Sequence, residues 1–184
     1  MRSLGLCQRA CRGYTAWMTQ NRRHPNVINQ DEVEPFETQQ GKFHMRARQL
    51  GRSAGNEQLG AQVLELAPGE RAFPFHFHCA KEEAIYVLSG RGTVRLGDER
   101  VPVRAGDWIA HPAGPTHAHQ MINDSEAPLV YLAISTQQKC EIVGYPDSNK
   151  MAFFSGPSFN EPWARQIVRK GETLGYYDDE PDAR

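Results

Sequence analysis

Short runs of apolar and β-branched residues, each broken by turn chemistry, dominate the middle of the chain. They fall at residues 61–67, 84–88, 93–96, 101–103, 108–110 and 129–135. Between them stand Pro68-Gly69, Ser89-Gly90, Gly97-Asp98, Ala105-Gly106, Ala113-Gly114-Pro115 and Asn123-Asp124, residue types that favour tight turns. Strands this short and this regularly punctuated predict an all-β sandwich or small barrel. In Thr93-Val94-Arg95-Leu96, Val94 and Leu96 share one face while Thr93 and Arg95 share the other. No helical periodicity competes.

The flanks differ from this centre. Arg2, Arg9, Arg12, Arg22 and Arg23 all precede the first acid, Asp31. Such a start reads as a simple arm, or as a start set upstream of Met18, ahead of an organelle-targeting segment; it lacks the apolar core of a secretory signal. Residues 26–38 are polar and read as an extended lead-in. After Cys140 the chain is rich in Pro, Gly, Trp and Tyr, which predicts a wrapping tail of little regular structure anchored by Trp163. The expected organisation is an N-terminal arm at 1–41, partly extended or disordered, a β-barrel at 42–140 and a C-terminal wrapping tail at 141–184.

Composition narrows the function classes. A chain of 184 residues suits one core. With 21 basic and 22 acidic residues the net charge is −1, so the basic footprint of a general nucleic-acid binder is absent. No apolar run approaches the roughly 18–20 residues of a membrane helix, and no membrane partner is expected. Cys7, Cys11, Cys79 and Cys140 match no zinc-finger or ribbon spacing. They read as reduced thiols, which predicts a cytoplasmic location.

Five of the seven histidines lie between positions 76 and 119. His76 and His78 are one residue apart, so on a strand both rings point to the same side. After a bend at 79–81, Glu83 shares a strand face with Ile85 and Val87. A carboxylate aligned with apolar neighbours faces inward, where a cation offsets its desolvation; Glu82, on the other face, is the poorer candidate. A fourth ligand is expected from His111, His117 or His119. His111, directly before Pro112 in a turn region, fits least, and alternation alone leaves both later histidines open. Such a nitrogen and oxygen set suits one divalent ion: Fe, Mn, Ni, Co, Cu or Zn. Three neutral imidazoles and one carboxylate leave about one positive charge, and octahedral coordination leaves two open positions for a substrate.

These residues resemble the cupin superfamily over about residues 42–138. The first motif reads Gly69-(x6)-His76-x-His78-(x4)-Glu83-(x6)-Gly90, with one extra residue before the first histidine. The second reads Gly106-(x5)-Pro112-x-Gly114-(x4)-His119-(x3)-Asn123. The usual two-residue gap after that glycine selects His117, whereas the histidine-to-asparagine spacing selects His119. We favour His119, because an insertion in a Gly/Pro turn is easily absorbed. The resemblance implies a double-stranded β-helix (jelly-roll) barrel with N- and C-terminal arms and a metal inside one mouth, held by His76, His78, Glu83 and His119. The chain's ending also resembles small single-domain bacterial cupins, some labelled sugar-phosphate isomerases.

Fold alone fixes neither reaction nor substrate. The expected function is a metal-dependent small-molecule enzyme, of isomerase or dioxygenase type, acting on an oxygen-chelating substrate. The alternative is a binding or sensor protein without turnover. Trp108, His117 and Met121, beside the second motif, are the candidate substrate-binding residues. Strand edges of such a barrel predict a homodimer, with residues 26–44 contributing.

Overall fold

The computed structural model describes residues 23–156, 163–171, 173–176 and 178–182. Thirteen strands account for about half of them: β1 (Phe36–Gln40), β2 (Phe43–Arg48), β3 (Leu59–Leu66), β4 (Phe77–His78), β5 (Glu83–Ser89), β6 (Arg91–Leu96), β7 (Glu99–Arg104), β8 (Trp108–His111), β9 (His119–Ile122), β10 (Leu129–Thr136), β11 (Cys140–Tyr145), β12 (Lys150–Ser155) and β13 (Ala164–Arg169). One short helix, α1 (Leu50–Ser53), interrupts them.

Three groups of strands form the walls, ordered β1-β2-β3-β10-β5-β8, β13-β12-β11-β4 and β7-β6-β9, and all strand pairs are antiparallel. The architecture is all-β, as the turn spacing predicts, in the jelly-roll form that the resemblance implies. The alternating positions fill its interior. Leu64, Leu66, Val87 and Leu129 are fully buried, and Met45, Ile85, Val94, Ile109, Met121 and Tyr131 pack with them. Each large apolar side chain removed from water stabilises the fold by about 1.5–3 kcal/mol.

Gly90 closes the hairpin between β5 and β6 with φ of +81°. A Cβ there would stand 2.3 Å from the carbonyl oxygen of Pro128, so both the turn and the close approach require glycine.

The C-terminal region departs from expectation. Instead of a tail with little regular structure, β11, β12 and β13 extend from β4 as a sheet. Val143, Ala152 and Phe154 form its own small core. Trp163 is not its anchor, being 74% exposed. Pro146 sits in the 3-10 turn Pro146–Ser148 between β11 and β12, and within β12 the buried Ala152 and Phe154 alternate with the exposed Phe153.

At the other end, the lead-in holds a 3-10 turn, Gln30–Glu32, closed by a capping box. The Asn29 side chain accepts from the Asp31 N–H, and Glu32 accepts from the Asn29 N–H, both at 3.0 Å. β1 follows as an edge strand with all five residues exposed. The arginine-rich start through Arg22, with Met18, Cys7 and Cys11, lies outside the described residues.

Candidate metal centre

Backbone pairing brings the two halves of the site together. His76 and His119 form a two-way bridge: the His76 N–H donates to the His119 carbonyl at 3.1 Å, and the His119 N–H donates back at 2.8 Å. Cross-strand partners present side chains to the same face. The extra residues that made the second motif ambiguous are absorbed in the 3-10 turn Pro115–His117. Gly114 ties this turn to the first motif, its N–H donating to the His78 carbonyl at 2.7 Å.

Glu83 opens β5 and faces inward with Ile85 and Val87, as alternation requires. Its Oε2 lies 3.4 Å from His78 Nε2 and 3.3 Å from His119 Nε2. One ligand atom each from His76, Glu83 and His119 can be chosen with all three within 4.8 Å of one another. Ring centroids of His76 stand 5.1 Å from His78 and 4.6 Å from His119.

The outer nitrogens of two rings are already engaged. His76 Nδ1 bonds the Pro74 carbonyl at 2.8 Å, and His119 Nδ1 bonds the His117 carbonyl at 3.0 Å. A carbonyl can only accept, so each Nδ1 carries a proton and Nε2 is the ring atom left to face the centre. Lone pairs and a carboxylate converging in an apolar wall repel one another unless a cation or proton lies between them. The donor set therefore fits a divalent ion.

Protonation in the metal-free site follows from the same crowding. Burial, with His119 and His78 beside it, pushes the His76 ring down to about 3. For His78, burial works against the charged form, but Glu141 and Glu83 outweigh it and raise the ring to about 9. Burial likewise opposes ionisation of Glu83, and the bonds from His119 and His78 overcome this and hold it well below the usual carboxylate range.

A second carboxylate, Glu141, supports the first motif from β11. Only 2% exposed, it accepts N–H bonds from Cys79, Ala80 and Lys81 at 3.0, 3.0 and 2.8 Å, and one from Ile142 at 2.9 Å. Its Oε2 stands 3.7 Å from His78 Nδ1. The bend expected at 79–81 is thus gathered around one buried anion. Burial raises the Glu141 carboxyl, but His78 and those N–H groups prevail and its net shift is downward.

Two further residues stand at the centre: His111, the histidine that fitted least as a ligand by sequence, and Tyr145, which the sequence did not single out. His111, read there as part of a turn, is the last residue of β8 and the cross-strand partner of Glu83. It is 2% exposed and stacks on His119 at 3.7 Å and 12°. Neither ring nitrogen has a hydrogen-bond partner among the described residues. Burial and the neighbouring His119 push this ring down to about 3. The usable signal was Ile109 and His111 at strand spacing. Tyr145, at the end of β11, stacks over His76 at 6.3 Å. Gly144 beside it lets Phe77 lie across the strand, since a Cβ would sit 2.2 Å from that ring.

The remaining candidates separate. Met121 is buried in the core on the same strand as His119. His117 is exposed, and its carbonyl rather than its ring serves the site. Trp108 is 60% exposed, on the face of β8 opposite His111, so the fold does not bring it to the centre. Asn123 is a clamp: fully buried, its Nδ2 donates to Leu66 and Ala127 carbonyls, both at 2.8 Å, and its backbone bonds Gly69 and Glu70.

Residues 62–135 match the family described as Cupin domain. An uncharacterized protein of Methanocaldococcus jannaschii is 30% identical over 57% of this chain and 81% of its own length. Quercetin 2,3-dioxygenase of Bacillus subtilis is 31% identical over 45% of this chain, a match spanning 26% of that enzyme. Among solved structures, a sugar phosphate isomerase of the cupin superfamily from Silicibacter pomeroyi superposes with a TM-score of 0.69 at 24% identity, covering 82% of this chain and 97% of the other. No helix among the described residues is long and apolar enough to cross a membrane.

Proposed function

The chain belongs to the cupin superfamily, and on that premise we propose that it holds one divalent metal ion on His76, His78, Glu83 and His119 and acts on a small oxygen-chelating substrate. The observation that carries this reading is the approach of two Nε2 atoms to one Glu83 oxygen, at 3.4 and 3.3 Å, inside the barrel. A bound divalent ion would supply Lewis acidity toward a substrate presenting two adjacent oxygens. The chain's own residues do the rest. Pro74 and His117 carbonyls fix the tautomers of His76 and His119, Glu141 fixes the loop that carries His78, and Met121 with Ile85 keeps the inner wall dry. The neutral His111 ring lies against His119 within this wall.

The reaction is of isomerase or dioxygenase type. Metal content of the purified protein, followed by oxygen uptake with a panel of 1,2-dioxygenated small molecules, is the test. Uptake supports the dioxygenase. Absence of uptake with solvent-proton exchange at a sugar carbon supports the isomerase. Ligand-dependent melting shifts without product support a binding protein instead, and a metal-free protein that takes up no divalent ion overturns the proposal. The exposed edge strand β1 supports a homodimer, and a concentration-independent monomer mass in light scattering would contradict it.

A further inference from the structure

Outside the barrel wall, on the side away from the histidines, lies a second concave feature. It is a cavity of about 400 Å³ whose lining includes Arg71, Phe75, Arg95, Arg100, Asp147 and Lys150. Four of these side chains are cationic and one is anionic. The volume falls within the range of small-molecule sites.

The backbone register explains the charge density. Arg95 is the cross-strand partner of Arg100 on one side and of Gln120 on the other. Gln120 and Phe75 alternate with His119 and His76, so this row occupies the opposite face from the candidate metal ligands. Like charges placed directly opposite on a sheet destabilise it. Asp147 relieves only Arg95, at 2.7 and 3.1 Å, and is itself half exposed. Neither Arg71 nor Arg100 has a carboxylate at ion-pair distance among the described residues.

Arg95 is also fixed in place. Its guanidinium stacks on the Phe75 ring at 3.6 Å, and its Nε donates to the Gly97 carbonyl at 3.2 Å. Gln120 Nε2 donates to the Phe73 carbonyl at 2.7 Å, which holds the floor. A preorganised guanidinium, flanked by two more without acid partners and by Lys150, matches a tetrahedral oxyanion of charge near −2.

We propose that this groove is a binding site for a phosphate group, separate from the metal centre. The phosphate is either free or carried as a monoester on a small molecule. Asp147 competes with it for Arg95, so the acid limits affinity and does not contribute to it.

The test is calorimetric titration of the full-length protein with inorganic phosphate and with glycerol 3-phosphate, at ionic strength held constant with chloride. Saturable binding is expected, and R71Q and R100Q should each weaken it about tenfold, the scale of one charge-assisted contact. D147N should tighten it severalfold, an effect that a purely structural role for Asp147 would not produce. Binding should persist after EDTA treatment. A stronger response to glycerol 3-phosphate assigns a phosphorylated metabolite, and an equal or weaker one assigns free phosphate. Heat no greater than that of matched chloride, binding indifferent to R71Q and R100Q, or binding abolished by EDTA would each overturn the proposal. The last result would place the anion on the metal instead and leave the metal reading intact.

Discussion

The segment 76–119 and the sheet built from β11 to β13 both reach the candidate metal centre, but in different ways. The first supplies the atoms that converge: Glu83 Oε2 with the Nε2 atoms of His78 and His119, and His76 beside them. The second supplies none of that set, yet contributes Glu141, whose contacts to residues 79–81 span 60 to 62 positions of sequence, and Tyr145 over His76. The family match ends at residue 135, before β11 begins. Donors reside in a local, repeated pattern; their orientation is enforced by a strand that the pattern does not include. Ligand chemistry needs particular residue types, whereas a supporting anion needs only to arrive at the right place.

That contrast can be broken by substitution. The largest effect is expected from the donors: His76→Ala, His78→Ala and His119→Ala should each lower metal affinity by more than about a hundredfold, measured as metal content after dialysis, with His117→Ala retaining it. Loss through His117→Ala with retention in His119→Ala would reverse the reading of the second motif.

Glu141 should come next. Glu141→Gln keeps one acceptor oxygen, for the Cys79, Ala80 and Ile142 N–H groups, but loses the charge and sets an amide NH2 against the Lys81 N–H; it should weaken metal binding roughly 10–100-fold and lower stability by less than Glu141→Ala. Glu141→Ala leaves buried N–H groups unpaired and should cost at least about 3 kcal/mol in denaturant unfolding. Equal metal affinity in Glu141→Gln and the unmodified protein would confine the second region to a structural role.

Proton competition sharpens the link between them, because His78 touches both carboxylates. Its metal-free pKa, raised to about 9, means that metal uptake at neutral pH displaces its proton. Affinity should rise with pH by up to about tenfold per unit until about 9. The same shift gives the metal-free protein stability that is complete below about 6.5 and lost as pH rises through about 9. Melting curves of metal-free and metal-loaded protein across this range should therefore diverge as pH rises. The smallest effect belongs to the surface: Trp108→Ala should change stability by no more than about 0.5 kcal/mol and leave metal content unaltered.

Much of this architecture could be read before any coordinates. Period-2 alternation and Gly/Pro punctuation mark β3, β5, β6, β7, β8 and β10 within a residue or two, because a half-buried strand must alternate and a tight turn needs special backbone angles. The inward position of Glu83 follows from Ile85 and Val87 on the same face. The C-terminal strands were obscured because burial alternates clearly only in β12, while β11 carries Gly144 and β13 is almost wholly exposed. His111 was obscured because Pro112 ended the strand just after it, and a strand-final residue resembles a turn residue.

By itself the sequence determined the residue types, the strand periodicity and the paired spacing that identify a cupin barrel and its four candidate donors, since these depend on local geometry along one or two strands. Motif spacing favoured His119 over His117, and the tertiary structure sets the His119 backbone against His76 and leaves His117 exposed. It also turned Trp108 outward, set His111 opposite Glu83 and carried Glu141 beneath the ligand loop. Register and long-range pairing make those choices, and strand register depends on how all faces pack together, which no single segment encodes.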